Sequence, residues 1–218
     1  MGTMTLEPNT RGPSYRLILA MMAARAVIAV IAFAAWRFMA PEPVARSGGA
    51  ASLAIPGGVK IGGAFRLTNQ SGHTVTDEDF RGKFMLISFG YGFCPDICPT
   101  ALQTMGVAID LLGPDGERIQ PIFITIDPER DTVDFMADYV ASFHPRLVGL
   151  TGSKADTDKT AALFRVYHAK AEGGAPDAYL MDHSAFIYLM DPDGAFLNIF
   201  QHATTPDELA RDIRAHLK

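Results

Sequence analysis

Residues 83–90 form an almost unbroken apolar run, and residues 119–126 repeat the signature, as strands covered on both faces do. Between them, residues 99–112 carry Leu102, Met105, Ile109 and Leu112 at helical spacing, with Pro99 suited to the first turn and Gly113 to the stop. Residues 132–143 place Phe135, Met136, Tyr139, Val140 and Phe143 at the same period, and a short strand is expected at residues 147–150. Residues 153–170 are predicted to form a further helix, opened by Ser153 with Asp156 three residues on. Upstream of all these, residues 65–68 and 74–75 read as a small hairpin. Downstream the chain breaks at Glu172-Gly173-Gly174-Ala175-Pro176, and strands at residues 185–190 and 195–200 flank the turn Asp191-Pro192-Asp193-Gly194. A capping box with Pro at the first helical position, Thr205-Pro206-Asp207-Glu208, opens a last helix that buries Leu209, Ile213 and Leu217.

This order of elements predicts an α/β fold, a thioredoxin-like domain over residues 59–218 with an N-terminal hairpin extension and an inserted strand and helix. Three pieces are expected before it. Residues 1–16 form a cytoplasmic tail and residues 17–38 one transmembrane helix, in which residues 17–36 are apolar apart from Arg25. A mid-span Arg costs about 2.5–3.5 kcal/mol on insertion scales, which the surrounding Ile, Val and Ala outweigh. Residues 41–58, rich in Pro, Gly, Ser and Ala, read as a flexible tether. Arginines flank the span on both sides, so positive charge does not orient it. Sparing, paired cysteine use suits an extracytoplasmic compartment, which puts the anchor in the inner membrane and the domain in the periplasm.

The net charge of −5 over 218 residues offers no basic field to a phosphate backbone, which sets nucleic-acid binding aside. Only two cysteines occur, Cys94 and Cys98, both in the stretch that follows the first apolar strand. Three residues apart, their sulfurs can share a soft metal ion or close a disulfide. Cys98 is expected near the N-cap of the following helix, where backbone amides and the helix dipole favour thiolate. Thiolate is both metal ligand and nucleophile, so this feature does not choose between the two. A structural bridge is the plainer reading, yet one closing so short a loop would constrain little of the unfolded chain. Imidazole is the usual third partner of two thiolates. His183 stands directly before a strand whose start faces the cysteine loop, and His202 is its rival. His144 at a helix end and His168 in the last turn of the helix over residues 153–170 read as dipole partners. Asp127, after the second apolar strand, falls on the same rim as Cys94.

Three segments in this order resemble the Sco/SenC family: Cys94-Pro95-Asp96-Ile97-Cys98-Pro99, Asp127-Pro128-Glu129-Arg130-Asp131-Thr132, and Asp182-His183-Ser184 ahead of Asp191-Pro192-Asp193-Gly194. The resemblance runs from about residue 50 to the last residue, 218. It implies a membrane-tethered copper protein that assists cytochrome c oxidase assembly, with Cys94, Cys98 and His183 as ligands of Cu(I) and Cu(II), and Cys94 and Cys98 also able to form a redox disulfide. The client it implies is the binuclear copper site of oxidase subunit II, with a periplasmic protein as copper donor. Asp127, Arg130 and Asp131 match the family pattern and, with Asp182, are expected to support the ligands or to dock a partner; Asp131-Thr132 can also cap the helix that follows. One departure is Gly92, where the family often has Thr.

Two functional classes follow. The first is a metallochaperone that is not an enzyme; the alternative is a thiol–disulfide oxidoreductase keeping the cysteines of subunit II reduced. Generic thioredoxin chemistry uses Cys-x-x-Cys with a cis-Pro opposite, whereas three residues separate these cysteines and no Pro adjoins His183. A peroxidase of the same scaffold would carry Thr three residues before its reactive cysteine, where Tyr91 stands.

Overall fold

The computed structural model describes residues 60–173 and 178–218, together with Leu19, Met21, Met22, Ala23 and Arg25. The chain divides into two units, Met1–Ser47 and Gly48–Lys218. In the first, those five residues are helical and exposed. The expected anchor otherwise lies outside the described residues, as does the tether, and among the described residues no helix is long and apolar enough to cross a membrane.

In the second unit, β3 (Phe84–Gly90) and β4 (Ile119–Thr125) run parallel at the centre of a seven-stranded sheet, in register from Phe84 opposite Ile119 to Gly90 opposite Thr125. All seven residues of β3 are buried, which is why its sequence is a continuous apolar run. β5 (Val148–Thr151) extends the sheet parallel to β4. The hairpin of β1 (Arg66–Asn69) and β2 (Thr74–Thr76) adds antiparallel to β5. On the other edge β8 (Phe186–Met190) runs antiparallel to β3 and is joined by β9 (Phe196–Gln201), giving the order β2-β1-β5-β4-β3-β8-β9.

Side chains alternate across β3 and so feed two cores. Phe84 and Leu86 pack with Leu102, Met105 and Ile109 of α1 (Ile97–Leu111), Met136 and Val140 of α2 (Val133–Ala141), and Leu209 and Ile213 of α4 (Pro206–His216). Met85, Ile87 and Phe89 face the other way, toward Phe164 and Tyr188, where α3 (Lys154–Leu163) contributes Ala161. The helix starts obey the expected capping rules. Thr132 accepts from the Phe135 amide, Ser153 from the Asp156 amide, and Thr205 and Glu208 form a reciprocal box. Gly113 takes φ +60° just past the end of α1, the left-handed conformation of a helix stop.

Two expectations need correction. The helix predicted over residues 153–170 stops at Leu163: Arg165 adopts φ 58°, and the Val166 amide folds back to the Ala161 carbonyl. The remainder becomes β6 (His168–Lys170), which pairs with β7 (Met181–His183) as a separate two-stranded ribbon. His168 is therefore not a helix-end residue; it sits directly opposite His183. Strands of three residues are too short to show alternation, and the partners are joined only by folding. Second, α1 begins at Ile97, two residues ahead of the predicted start at Pro99, with Asp96 as its cap; Cys98 is near the cap as expected, but inside the first turn.

Candidate metal centre

β3 delivers the cysteine loop to the carboxyl rim of the sheet, and α1 leads away from it. Gly90 makes that junction possible. A Cβ there would lie 2.5 Å from Cys98 Sγ and 3.0 Å from the Phe123 ring, so only glycine lets Cys98 pack against the end of the strand. Cys98 is buried, Cys94 is partly exposed, and both are free thiols. The Cys94 amide turns back to the Tyr91 carbonyl at 3.2 Å, and the Cys98 amide donates to Cys94 Sγ at 3.4 Å. This is the helix N-terminus acting on a sulfur.

His183, at the end of β7, comes from the opposite side. Its Nδ1 is 3.0 Å from the Ser184 carbonyl. A carbonyl can only accept, so Nδ1 carries a proton, and Nε2 is the ring nitrogen that faces the sulfurs. Nε2 is 3.5 Å from Cys98 Sγ, and the Tyr91 ring meets the imidazole edge-on at 5.9 Å. One donor atom each from Cys94, Cys98 and His183 lies within 4.8 Å of the others. His202, the rival on sequence grounds, is exposed and stands outside this cluster.

The two thiols share one proton unequally. The hydrogen bond from Cys98 pulls Cys94 far below the ordinary thiol range, helped by His183 and the Cys98 and Asp96 amides against the cost of burial. The same partnership, with burial, pushes Cys98 well up. Burial opposes a charge on His183, but its bonds to Cys94 and the Ser184 carbonyl outweigh it, and its pKa lies above the ordinary value. The metal-free site thus holds an accessible thiolate beside a buried thiol and an imidazole.

The rim motif sits behind the loop. Thr132, not Asp131, caps α2; Asp131 is fully buried and instead accepts the Gly92 amide at 3.0 and 3.2 Å and the Thr125 hydroxyl at 2.5 Å. Asp127, 2% exposed, takes Arg130 Nε at 2.6 Å and the Tyr179 hydroxyl at 2.8 Å. Neither carboxylate reaches the surface, so neither can dock a partner directly. Asp182 is exposed beside His183 and, among the described residues, makes no side-chain hydrogen bond. Sequence reasoning missed Tyr179, which lies in the break before β7 and carries no local signal.

Gly92 also has a physical explanation. Its missing side chain leaves room for the Phe135 ring, into which a Cβ would run, and Phe135 in turn stacks on Phe93 at 4.9 Å. Gly92→Thr should therefore destabilise the domain by about 1–3 kcal/mol through overpacking, read as a lowered thermal midpoint. Adding Phe135→Ala should recover part of the loss, and a neutral Gly92→Thr would mean the ring moves aside freely.

The SCO1/SenC family profile matches residues 54–218. Protein sco1 of Schizosaccharomyces pombe is 47% identical over 167 residues, 75% of this chain and 64% of that protein. The chain thus spans less than two thirds of that relative's length. The copper-bound structure of Bradyrhizobium japonicum ScoI is 46% identical with a TM-score of 0.66, covering 71% of this chain and 98% of its own. Yeast Sco1 with copper bound is 36% identical with a TM-score of 0.68, covering 73% and 89% respectively.

Proposed function

The chain belongs to the SCO1/SenC family, and from that premise we propose that it is a copper metallochaperone whose cargo is held by Cys94, Cys98 and His183. The observation that carries this reading is the convergence of two sulfurs and one imidazole nitrogen within 4.8 Å. Thiolates suit Cu(I), and imidazole extends the set to Cu(II). Copper carried by the ScoI and Sco1 structures supports the same assignment.

The geometry suits handing a metal on. Cys94 lines an open groove of about 310 Å³ with Pro95, Ile97, Leu180, Met181 and His183, whereas Cys98 is closed off beneath it. An incoming thiolate can approach from the Cys94 side, bond to the ion, and displace the ligands one at a time. The acceptor we assign is the binuclear copper site of cytochrome c oxidase subunit II, with a periplasmic protein as donor. The apolar residues 17–38 would anchor the chain in the inner membrane with the domain in the periplasm. Protease protection in intact spheroplasts would contradict that placement.

Mixing the full copper-loaded chain in detergent with metal-free subunit II should move one equivalent of copper to the acceptor. Copper that stays on the donor after equilibration would overturn the chaperone reading. A second reading rests on the accessible Cys94 thiolate beside the buried Cys98 thiol. Cys94 would attack a disulfide of subunit II, and Cys98 would resolve the mixed disulfide, leaving the partner as dithiol and this chain as the Cys94–Cys98 disulfide. A reduction potential well above that of the partner would exclude it.

A further inference from the structure

β7, which carries His183, is hydrogen-bonded to β6 and to no strand of the main sheet, while the cysteines are held by β3 and α1. His183 is tied to the main sheet through Ser184 and Ala185, which lead into β8 beside β3, but no ladder crosses directly between β7 and the cysteine loop. Side chains span the gap, and Arg130 stands among them. Its Nε donates to Asp127 Oδ2 at 2.6 Å and its Nη1 to the Tyr179 carbonyl at 3.0 Å. The guanidinium carbon lies 3.7 Å from the Tyr179 ring centroid, 4.8 Å from that of Phe93 and 5.7 Å from that of Tyr91. Phe93 immediately precedes Cys94, Tyr91 touches His183, and Tyr179 leads two residues later into β7. The Tyr179 hydroxyl donates to the same Asp127, at Oδ1, which closes the cluster.

We propose that Arg130 is a positioning residue that clamps the cysteine loop to the segment leading into His183 and so sets the sulfur–imidazole spacing of the metal centre. Only a planar fork does this, because one face must lie on aromatic rings while the edge bonds to a carboxylate and a carbonyl. Lysine keeps the charge and loses both geometries. The arrangement is not free of cost: among the described residues, Arg130 Nη2 is buried without a hydrogen-bond partner, an unmade bond that a purely stabilising ion pair would have little reason to retain.

The proposal rests on the copper reading for its spectroscopic test, and a metal-free test stands beside it. The full chain and Arg130→Lys are loaded with Cu(II), and the thiolate-to-copper absorption and electron paramagnetic spectra are compared; Cu(I) affinity follows by chelator competition. Arg130→Lys should shift both spectra and weaken Cu(I) binding roughly tenfold, about 1.4 kcal/mol. Should lysine leave Asp127 too poorly paired to fold, the double variant Asp127→Asn, Arg130→Met removes both charges together and should give the same shifts. In the metal-free chain, amides 94–98 and 181–184 should exchange hydrogen faster in either variant. Folded variants with wild-type spectra and affinity would overturn the clamp. A wild type that takes up no copper would sink the copper reading alone, and unchanged exchange in both segments would then overturn the clamp on its own.

Discussion

Cys98→Ser in the full chain is expected to weaken Cu(I) binding by well over tenfold, and His183→Ala by about tenfold, or about 1.4 kcal/mol. Serine replaces a soft thiolate with a hydroxyl that neither ionises at neutral pH nor suits a soft ion. Cys98 is buried against the end of β3, and serine is nearly isosteric, so the fold should survive and the loss can be read as coordination. Removing His183 leaves both thiolates in place, hence the smaller effect. Anaerobic competition against a chelator measures both. If the wild type binds no more tightly than the two variants, copper is not held by this triad, and the cysteines should be pursued as a redox pair. A pH series adds a signed check. Cys98 keeps its proton in the metal-free chain, copper uptake must release it, and the apparent affinity should therefore rise with pH.

The second large effect concerns Asp131. Asp131→Ala leaves the Gly92 amide and the Thr125 hydroxyl facing a void where a carboxylate stood. Each unsatisfied buried donor costs roughly 1–3 kcal/mol, so a total loss of about 3–4 kcal/mol is expected, read from denaturant unfolding. The cysteine loop should loosen with it, because the Gly92 amide ties the loop to the rim motif two residues before Cys94.

Asp131 also gives the domain a pH signature. Burial pushes its carboxyl up from 3.8 to about 6, more than the bonds from Thr125 and Gly92 pull it down. A carboxyl with a higher pKa in the folded state holds its proton more tightly there. The stabilisation this brings is complete below about pH 4 and is lost as pH rises through about 6, a swing of roughly 3 kcal/mol. Asp131→Asn should flatten this part of the metal-free stability profile. An unchanged slope between pH 4 and 6 would assign the titration to another group.

Local sequence carried a large part of this protein. The continuous apolar runs mark β3 and β4 because both faces are covered; the 3.6-residue period marks α1 and α2; Ser153 and Thr205 mark helix starts because their hydroxyls satisfy free amides. The cysteine loop was legible because a turn joins a strand to a helix there, and the backbone near the two sulfurs is local. His183 was legible only as the histidine ahead of a strand and through the family resemblance.

The rest depends on contacts between residues far apart in the chain. Cys98 meets His183 across 85 positions, and Gly92 meets Asp131 across 39. Neither pair leaves a periodicity or a cap to read. The β6–β7 ribbon formed where a longer helix was predicted, since pairing with residues on the far side of the Glu172 break outweighed a weak helical tendency after Arg165. Asp131 looked like a cap and proved to be a buried tie, because the Gly92 amide and the Thr125 hydroxyl arrive only when β3 and β4 pair. Sequence by itself determined which groups can ionise, ligate or cap, since that is covalent chemistry and local geometry. Tertiary structure decided which of them meet, at what distance and how deeply buried, and those three quantities give the two thiols and the imidazole their chemistry.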